Sequence, residues 1–244
     1  MDEHPTQGVV VEDVPPGAGL FEDIIDVFVN PTALFRRQRN PKFWGALAVL
    51  AVLSGVLMFA ASNALRPVLQ VEAMRQMANN PAIEPGTPPP AFMTNPAFQA
   101  GMALILGPIF VLILGVFVWL FGKIFGFKGS IAHGLAIAVF ANFPRLLTPI
   151  AEVLQSLFVD VNALTSRLQL SLGPVRFFDP ETSSATVRGL MTRFDLTTLW
   201  ATVLIGIGLA VTGRMSSGKA AAATGALWLV ATLIAVASSG FSMG

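Results

Sequence analysis

Five long apolar runs are the feature that most limits how this chain of 244 residues can fold. A helix needs about 20 mostly apolar residues to cross about 30 Å of hydrocarbon. Runs of this kind lie at about 43–62, 101–122, 131–159, 196–213 and 220–237. Charged residues make up 12% of the chain, about half the share found in soluble domains. The sequence therefore predicts an all-α, polytopic membrane protein, with a bundle of five transmembrane helices over residues 43–238.

The basic residues predict how the bundle is oriented in the membrane. If the five runs alternate in direction, eight Lys and Arg residues and no Asp or Glu fall in the short loops on one side. They are Arg36, Arg37, Arg39, Lys42, Lys123, Lys128, Arg214 and Lys219. Basic residues close to helix ends mark the cytoplasmic side. We therefore expect the N-terminus in the cytoplasm and the C-terminus outside.

The residues before the first apolar run divide into two parts. Residues 1–19 are rich in Pro, Gly and acidic side chains, which predicts a disordered tail. Residues 20–42 form a cytoplasmic amphipathic segment, with apolar side chains at helical spacing opposite Glu22, Asp23 and Asp26. The candidate interface residues of this segment are Phe21, Ile24, Ile25, Phe28, Arg36, Arg37 and Arg39. The apolar face either packs against the bundle or the membrane interface, which we favour, or it docks a partner.

Two longer loops lie on the opposite side, at about 63–100 and 160–195, and both mix basic with acidic residues. The first contains a Pro-rich stretch that fits an extended connector. The second is too long for a tight turn, and its alternating apolar and polar residues are compatible either with the membrane surface or with a cap on the bundle.

The third apolar run contains the charged residues that lie clearly inside a span, Arg145 and Glu152. A charge at the centre of a spanning helix costs roughly 2.5–3.5 kcal/mol, so such residues are candidates for a functional site. Pro144 and Pro149 each remove a backbone donor, and they predict a kink or break in this span. One interpretation is a polar cavity in which Arg145 binds an anionic group such as a lipid phosphate. The other is that Arg145 and Glu152 satisfy each other, or polar neighbours such as Asn142.

Signatures of catalysis and of cofactor binding are missing from the sequence. The chain has no cysteine, which excludes a thiolate nucleophile and Cys-based metal sites. It has no P-loop, no G-x-S-x-G, no H-E-x-x-H and no dinucleotide fingerprint. We therefore expect no enzyme activity, no cofactor and no metal. The expected partners are membrane lipids, other membrane proteins or a second copy of the chain, and not nucleic acid.

Three stretches together resemble a known family. The segment FVNPTALFRRQRNPKFWGAL at 28–47 resembles the entry sequence of bacterial members of the Ypt-interacting-protein (Yip) family. Residues 131–149, and DLTTLWATVLIGIGLAVTGRMSSGKAAA at 195–222, are similar to the corresponding parts of that family. The resemblance extends over about residues 25–238.

The resemblance implies a five-span bundle with a cytoplasmic N-terminal region, in a bacterial inner membrane. Eukaryotic relatives are linked to Rab GTPases, vesicle traffic and membrane shaping, and a bacterial chain has no Rab system. What carries over is a non-enzymatic membrane scaffold or adaptor that associates with partner proteins or lipids and organises the membrane. The alternative is a small transporter or lipid-handling protein with its polar site at the Pro-broken third span.

Overall fold

The computed structural model describes residues 19–78, 83, 84, 87–180 and 182–241, with side chains up to residue 237. Apart from Gly19, the predicted disordered tail lies outside these residues. The described part of the chain contains eleven α-helices and no strand. The all-α prediction is therefore confirmed.

Among the described residues, five helical segments are long and apolar enough to cross a membrane, as the sequence predicts. The spans are α3 (Trp44–Ala64), α6 (Pro96–Ile124), the pair α7 (Ile131–Ala141) and α8 (Leu147–Ser156), α10 (Leu196–Gly213) and α11 (Ser217–Phe241). The second span begins before its apolar run because Asn95 accepts hydrogen bonds from the N–H groups of Ala97 and Phe98 at 2.8 and 3.3 Å. The fourth ends where Arg214 adopts a left-handed conformation with φ 51°.

The remaining helices lie before the first span and in the two longer loops. They are α1 (Leu20–Val29), α2 (Pro31–Arg37), α4 (Arg66–Ala78), α5 (Ala91–Thr94) and α9 (Ala185–Thr192), with 3₁₀ turns at 143–146, 161–163, 167–170 and 174–177. The second long loop folds onto α4, where Glu72 accepts hydrogen bonds from Ser166 Oγ at 2.6 Å and Arg167 N at 2.7 Å. The second long loop therefore packs against the first, and its Arg167 also contacts Glu152 of α8.

Helix α7 is the centre of the bundle, and its residues from Ala136 to Ala141 are fully buried. Two glycines set its distance from α6. A Cβ on Gly134 would lie 2.6 Å from the Gly115 carbonyl oxygen and 2.6 Å from Trp119 Cβ. On the other side, a Cβ on Gly208 of α10 would lie 2.8 Å from Ile137. Small residues therefore allow the helices to approach closely, which is how spans pack in the absence of water.

Candidate functional site

The third span breaks near its midpoint, and Asn142 completes the hydrogen bonding there. Helix α7 ends at Ala141, and Pro144 follows in the 3₁₀ turn 143–146 without an N–H to donate. The Asn142 N–H bonds to the Val139 carbonyl at 3.3 Å, one residue short of the helical partner. The Ala138 carbonyl accepts instead from Asn142 Nδ2 at 2.7 Å. The buried Asn142 thus satisfies a carbonyl that the break would leave without a donor.

Pro149 does not interrupt the chain in the same way. It is the third residue of α8, which begins at Leu147. The first N–H groups of a helix have no partner within the helix, so a proline there removes no hydrogen bond. The break that the sequence predicts therefore lies at Pro144 alone, and the helix continues past Pro149 to Ser156.

Glu152 is buried and forms an ion pair with a residue of the second long loop. Arg167 donates from Nε to Glu152 Oε1 at 2.7 Å and from Nη2 to Glu152 Oε2 at 2.5 Å. This bidentate pair connects α8 to the second long loop. The structure therefore corrects the interpretation in which Glu152 pairs with Arg145, and it assigns Glu152 a structural role. Arg167 lies in a loop outside the helix that carries Glu152, so helical spacing could not have identified it as the partner.

Arg145 differs from Glu152 in that its side chain has no hydrogen bond or ion pair to any residue in the described ranges. It is exposed and lines a cavity of about 180 Å³ between α3, α6 and the break in the third span. The polar side chains in the lining are Ser54, Asn142 and Arg145, and Pro149 is among the other residues of the wall. Three of the five predicted site residues thus share one cavity, while Glu152 and the buried Pro144 lie outside its lining.

The charged groups whose electrostatic field acts on Arg145 are Arg193 and Asp195. Both have other partners. Arg193 Nε donates to Thr232 Oγ1 at 3.2 Å, and burial lowers the pKa of its guanidinium. The Asp195 carboxylate accepts from Thr197 Oγ1 at 2.7 Å and from Ser171 Oγ at 3.0 Å. Arg145 therefore lies in the field of one cation and one anion, without a direct contact to either.

The second candidate region is the hairpin of α1 and α2, in which Asp23 and Asp26 point inward and Glu22 is exposed. Arg37 donates from Nε to Asp23 Oδ1 at 2.9 Å and also pairs with Asp26. Gln38 Nε2 donates to Asp23 Oδ2 at 3.3 Å. Val27 is fully buried in the main core. The predicted interface residue Arg37 therefore holds the hairpin together.

The other predicted interface residues of the hairpin have different environments. Ile24 packs against the core, and Phe28 contacts the Trp200 ring edge-on at 5.6 Å between centroids. The Arg39 carbonyl lies 3.0 Å from His133 Nε2 at the beginning of α7. The side chains of Phe21, Ile25 and Arg36 are exposed.

Metal binding receives no support from the arrangement of side chains. Within the described ranges, no three His, Asp or Glu side chains lie close enough together to hold a metal ion. His133 is occupied by contacts with Ser130 and the Arg39 carbonyl.

Five apolar spans, with a break in the third, define a polytopic α-helical integral membrane protein. Its sequence matches the Yip1 domain over residues 25–239, nearly the whole chain, and the protein belongs to the Yip1 domain family. No match was found among curated proteins or among solved structures.

Proposed function

We propose that this protein is a non-enzymatic membrane scaffold that binds an anionic phospholipid, with the lipid phosphate at Arg145. The proposal retains the scaffold role implied by the Yip resemblance and takes lipid binding from the alternative interpretation. The observation that carries it is the exposed Arg145 guanidinium, which has no partner among the described residues and lies at the break of a spanning helix.

The depth of Arg145 makes an anionic ligand favourable. Helix α7 has 11 residues, so the break lies about 16 Å along the span, near the middle of about 30 Å of hydrocarbon. A charge there costs roughly 2.5–3.5 kcal/mol when it has no partner. A phosphate would pair with the guanidinium through charge-assisted, bidentate hydrogen bonds. Binding would thus offset a cost that the protein alone leaves in place.

The cavity beside Arg145 suits the apolar part of the same ligand. Its walls are otherwise made by Leu, Ala, Met, Gly, Pro and Val side chains of α3, α6 and the third span. A volume of about 180 Å³ accommodates part of an acyl chain rather than a whole phospholipid. The proposed ligand is therefore anchored at its phosphate and only partly enclosed, as a lipid held at the surface of a bundle would be.

The test compares lipid retention by three variants of the full chain. Arg145→Gln removes the charge, Arg145→Lys keeps it, and Lys219→Gln removes an exposed cation near the beginning of α11 as a control. Each protein is purified in mild detergent, and binding of phosphatidylglycerol and phosphatidylcholine is measured by native mass spectrometry. We expect Arg145→Gln to lose about tenfold in phosphatidylglycerol affinity, since a hydrogen bond to a charged group contributes about 1.5–3 kcal/mol.

Two results would contradict the lipid site. One is equal phosphatidylglycerol affinity of wild type and Arg145→Gln. The other is an equal loss of phosphatidylglycerol affinity in Lys219→Gln, which would show that the lipid responds to the net charge of the protein and not to a site at Arg145.

The orientation and the membrane of residence are part of the proposal. The loops between α6 and α7 and between α10 and α11 contain basic residues and no acidic ones. This supports a cytoplasmic location for both loops, with the protein in a bacterial cytoplasmic membrane. Because the chain has no cysteine, Ser217→Cys and Thr182→Cys can each be labelled alone. We expect a membrane-impermeant maleimide to label Thr182→Cys in intact cells and Ser217→Cys only after lysis. The reverse pattern would invert the orientation.

A further inference from the structure

The hairpin of α1 and α2 extends along the spans instead of lying across their ends. Leu20, at its beginning, contacts the start of α3, where a Cβ on Gly45 would lie 3.4 Å from Leu20 Cδ2. Phe28, near its tip, contacts Trp200 with 5.6 Å between ring centroids. Trp200 lies about 20 Å from the end of α10 at Gly213, at 1.5 Å per residue. The tip is therefore far from the membrane side on which α3 begins and α10 ends.

Two further contacts agree with this depth. Helix α1 contacts the 3₁₀ turn 143–146, which lies about 16 Å along the third span, and α2 packs along α10. After the tip the chain returns, because the Arg39 carbonyl lies 3.0 Å from His133 Nε2, at the beginning of α7. The hairpin thus enters and leaves on the same side.

The outer face of α1 is apolar at this depth. Phe21 is 78% exposed, Ile25 60% and Val29 71%, while Asp23 and Asp26 point inward to Arg37. The remaining acidic residue, Glu22, is exposed and lies in the first turn of α1, where the hairpin begins. This arrangement is the reverse of an amphipathic helix on a water-soluble protein, where the acidic face would meet the solvent. It is the arrangement expected where hydrocarbon surrounds the helix, because charges there must be paired inside the protein.

The tip is also suited to a medium without water. Residues 27–35 contain no charged side chain. The Asn30 N–H donates to the Asp26 carbonyl at 3.0 Å, and Asn30 Oδ1 accepts from Ala33 N at 3.2 Å. Pro31, between them, has no N–H to satisfy. The N–H groups of Asn30 and Ala33 are thus paired within the hairpin, as backbone donors within a bilayer must be.

We propose that α1 and α2 form a re-entrant membrane hairpin, whose outer face at Phe21, Ile25 and Val29 contacts lipid acyl chains. The hairpin lies beside α10, whose Val203 side chain is also apolar and 60% exposed. The proposal is independent of the lipid site at Arg145. It places residues 23–35 of the predicted cytoplasmic segment within the membrane, with the exposed Glu22 and Arg36 at the ends where the hairpin enters and leaves.

The natural absence of cysteine allows a direct measurement of depth. Phe21→Cys, Ile25→Cys and Val29→Cys are each spin-labelled in the full chain and reconstituted in vesicles of phosphatidylcholine and phosphatidylglycerol. Val203→Cys is the matched reference for lipid, and Ser217→Cys, at the exposed beginning of α11, is the reference for water. Collisions with oxygen, which concentrates in lipid, are compared with collisions with a water-soluble nickel chelate.

We expect the ratio of oxygen to nickel collisions to rise from Phe21→Cys through Ile25→Cys to Val29→Cys. At Val29→Cys the ratio should match that of Val203→Cys, and a membrane-impermeant maleimide should react with Ser217→Cys but not with Val29→Cys. Because the three side chains are exposed, the failure of one variant to fold leaves two informative positions.

Two outcomes would overturn the hairpin. Nickel collisions at Ile25→Cys and Val29→Cys equal to those at Ser217→Cys would place the face in water, where a soluble partner could dock. Low collision rates with both reagents would mean that protein covers the face, as in an assembly with a second copy of the chain.

Discussion

The two halves of the third span are held in the bundle in different ways. Helix α7 has no charged residue, is buried from Ala136 to Ala141 and meets its neighbours through close glycine contacts. Helix α8 is partly exposed, and its buried carboxylate at Glu152 is paired with Arg167. Neither helix is long enough to cross the membrane alone, with 11 and 10 residues. The first half is thus held in the bundle by close helix packing and the second by an ion pair.

Around the break, the two charged residues of the span have opposite environments. Glu152 has a protein partner, whereas Arg145 opens onto a cavity without one in the described ranges. A charge with a protein partner stabilises the fold, and a charge without one is available to a ligand. Changes at Glu152 should therefore alter the stability of the fold, and changes at Arg145 should alter lipid binding.

Removing the Glu152 carboxylate should have the largest effect on stability. Glu152→Ala leaves the Arg167 guanidinium without its partner, and breaking a buried ion pair costs about 3–5 kcal/mol. We expect a value near the low end, about 3 kcal/mol, because the Arg167 side chain keeps 23% of its exposure. The free energy of unfolding is measured by SDS titration in mixed micelles, with the exposed Glu22→Ala as control.

A double variant sharpens this prediction. Glu152→Met combined with Arg167→Met removes both charges, and apolar replacements of a buried ion pair are often close to neutral. The double variant should recover most of the lost stability. If Glu152→Ala unfolds with the same free energy as Glu22→Ala, the pair does not fix α8.

The length of the apolar runs and the charged residues in the loops are enough to predict the five spans. A run of about 20 apolar residues is typical of a helix that crosses a membrane and is rarely found in a water-soluble fold. The fourth span is Leu196–Gly213, as the sequence indicates. The partner of Glu152 could not be predicted. Arg167 lies in a loop of 3₁₀ turns whose position is set by tertiary contacts with Glu72, and no helical spacing connects it to α8.

The orientation of α1 could not be predicted for a different reason. Helical spacing identifies the apolar and acidic faces, but the direction in which each face points depends on the surrounding medium. Arg37, which pairs with Asp23, belongs to a second helix after the turn at Asn30 and Pro31. A rule suited to water places the acidic face outward, whereas the structure turns Asp23 and Asp26 toward Arg37 and leaves only Glu22 of that face exposed.

In the first half of the span, a single methyl group should have an effect of intermediate size. Gly134→Ala places a Cβ 2.6 Å from the Gly115 carbonyl oxygen, and backbone at that distance cannot move away without displacing α6. Overpacking of this kind costs typically 1–3 kcal/mol, and we expect about 2 kcal/mol in the same unfolding assay.

The matched control is Gly101→Ala in α6, where an added Cβ meets no described atom within 4 Å. It should leave the free energy of unfolding unchanged or slightly raised, because Ala is a better helix former than Gly. Equal effects of the two variants would show that loss of glycine flexibility, rather than close packing, determines the response.

The smallest expected effect separates the two charges of the third span. A ligand that binds the folded state at ten times its Kd stabilises it by about 1.4 kcal/mol. Phosphatidylglycerol should therefore raise the free energy of unfolding of wild type by about that amount, and that of Arg145→Gln by much less. Glu152→Ala, although destabilised, should gain as much as wild type, since the effects of independent sites add. Equal gains in wild type and Arg145→Gln would separate Arg145 from lipid binding. If Glu152→Ala instead loses this gain in stability, the cavity depends on the ion pair, and the turn that carries Arg145 and helix α8 act as one unit.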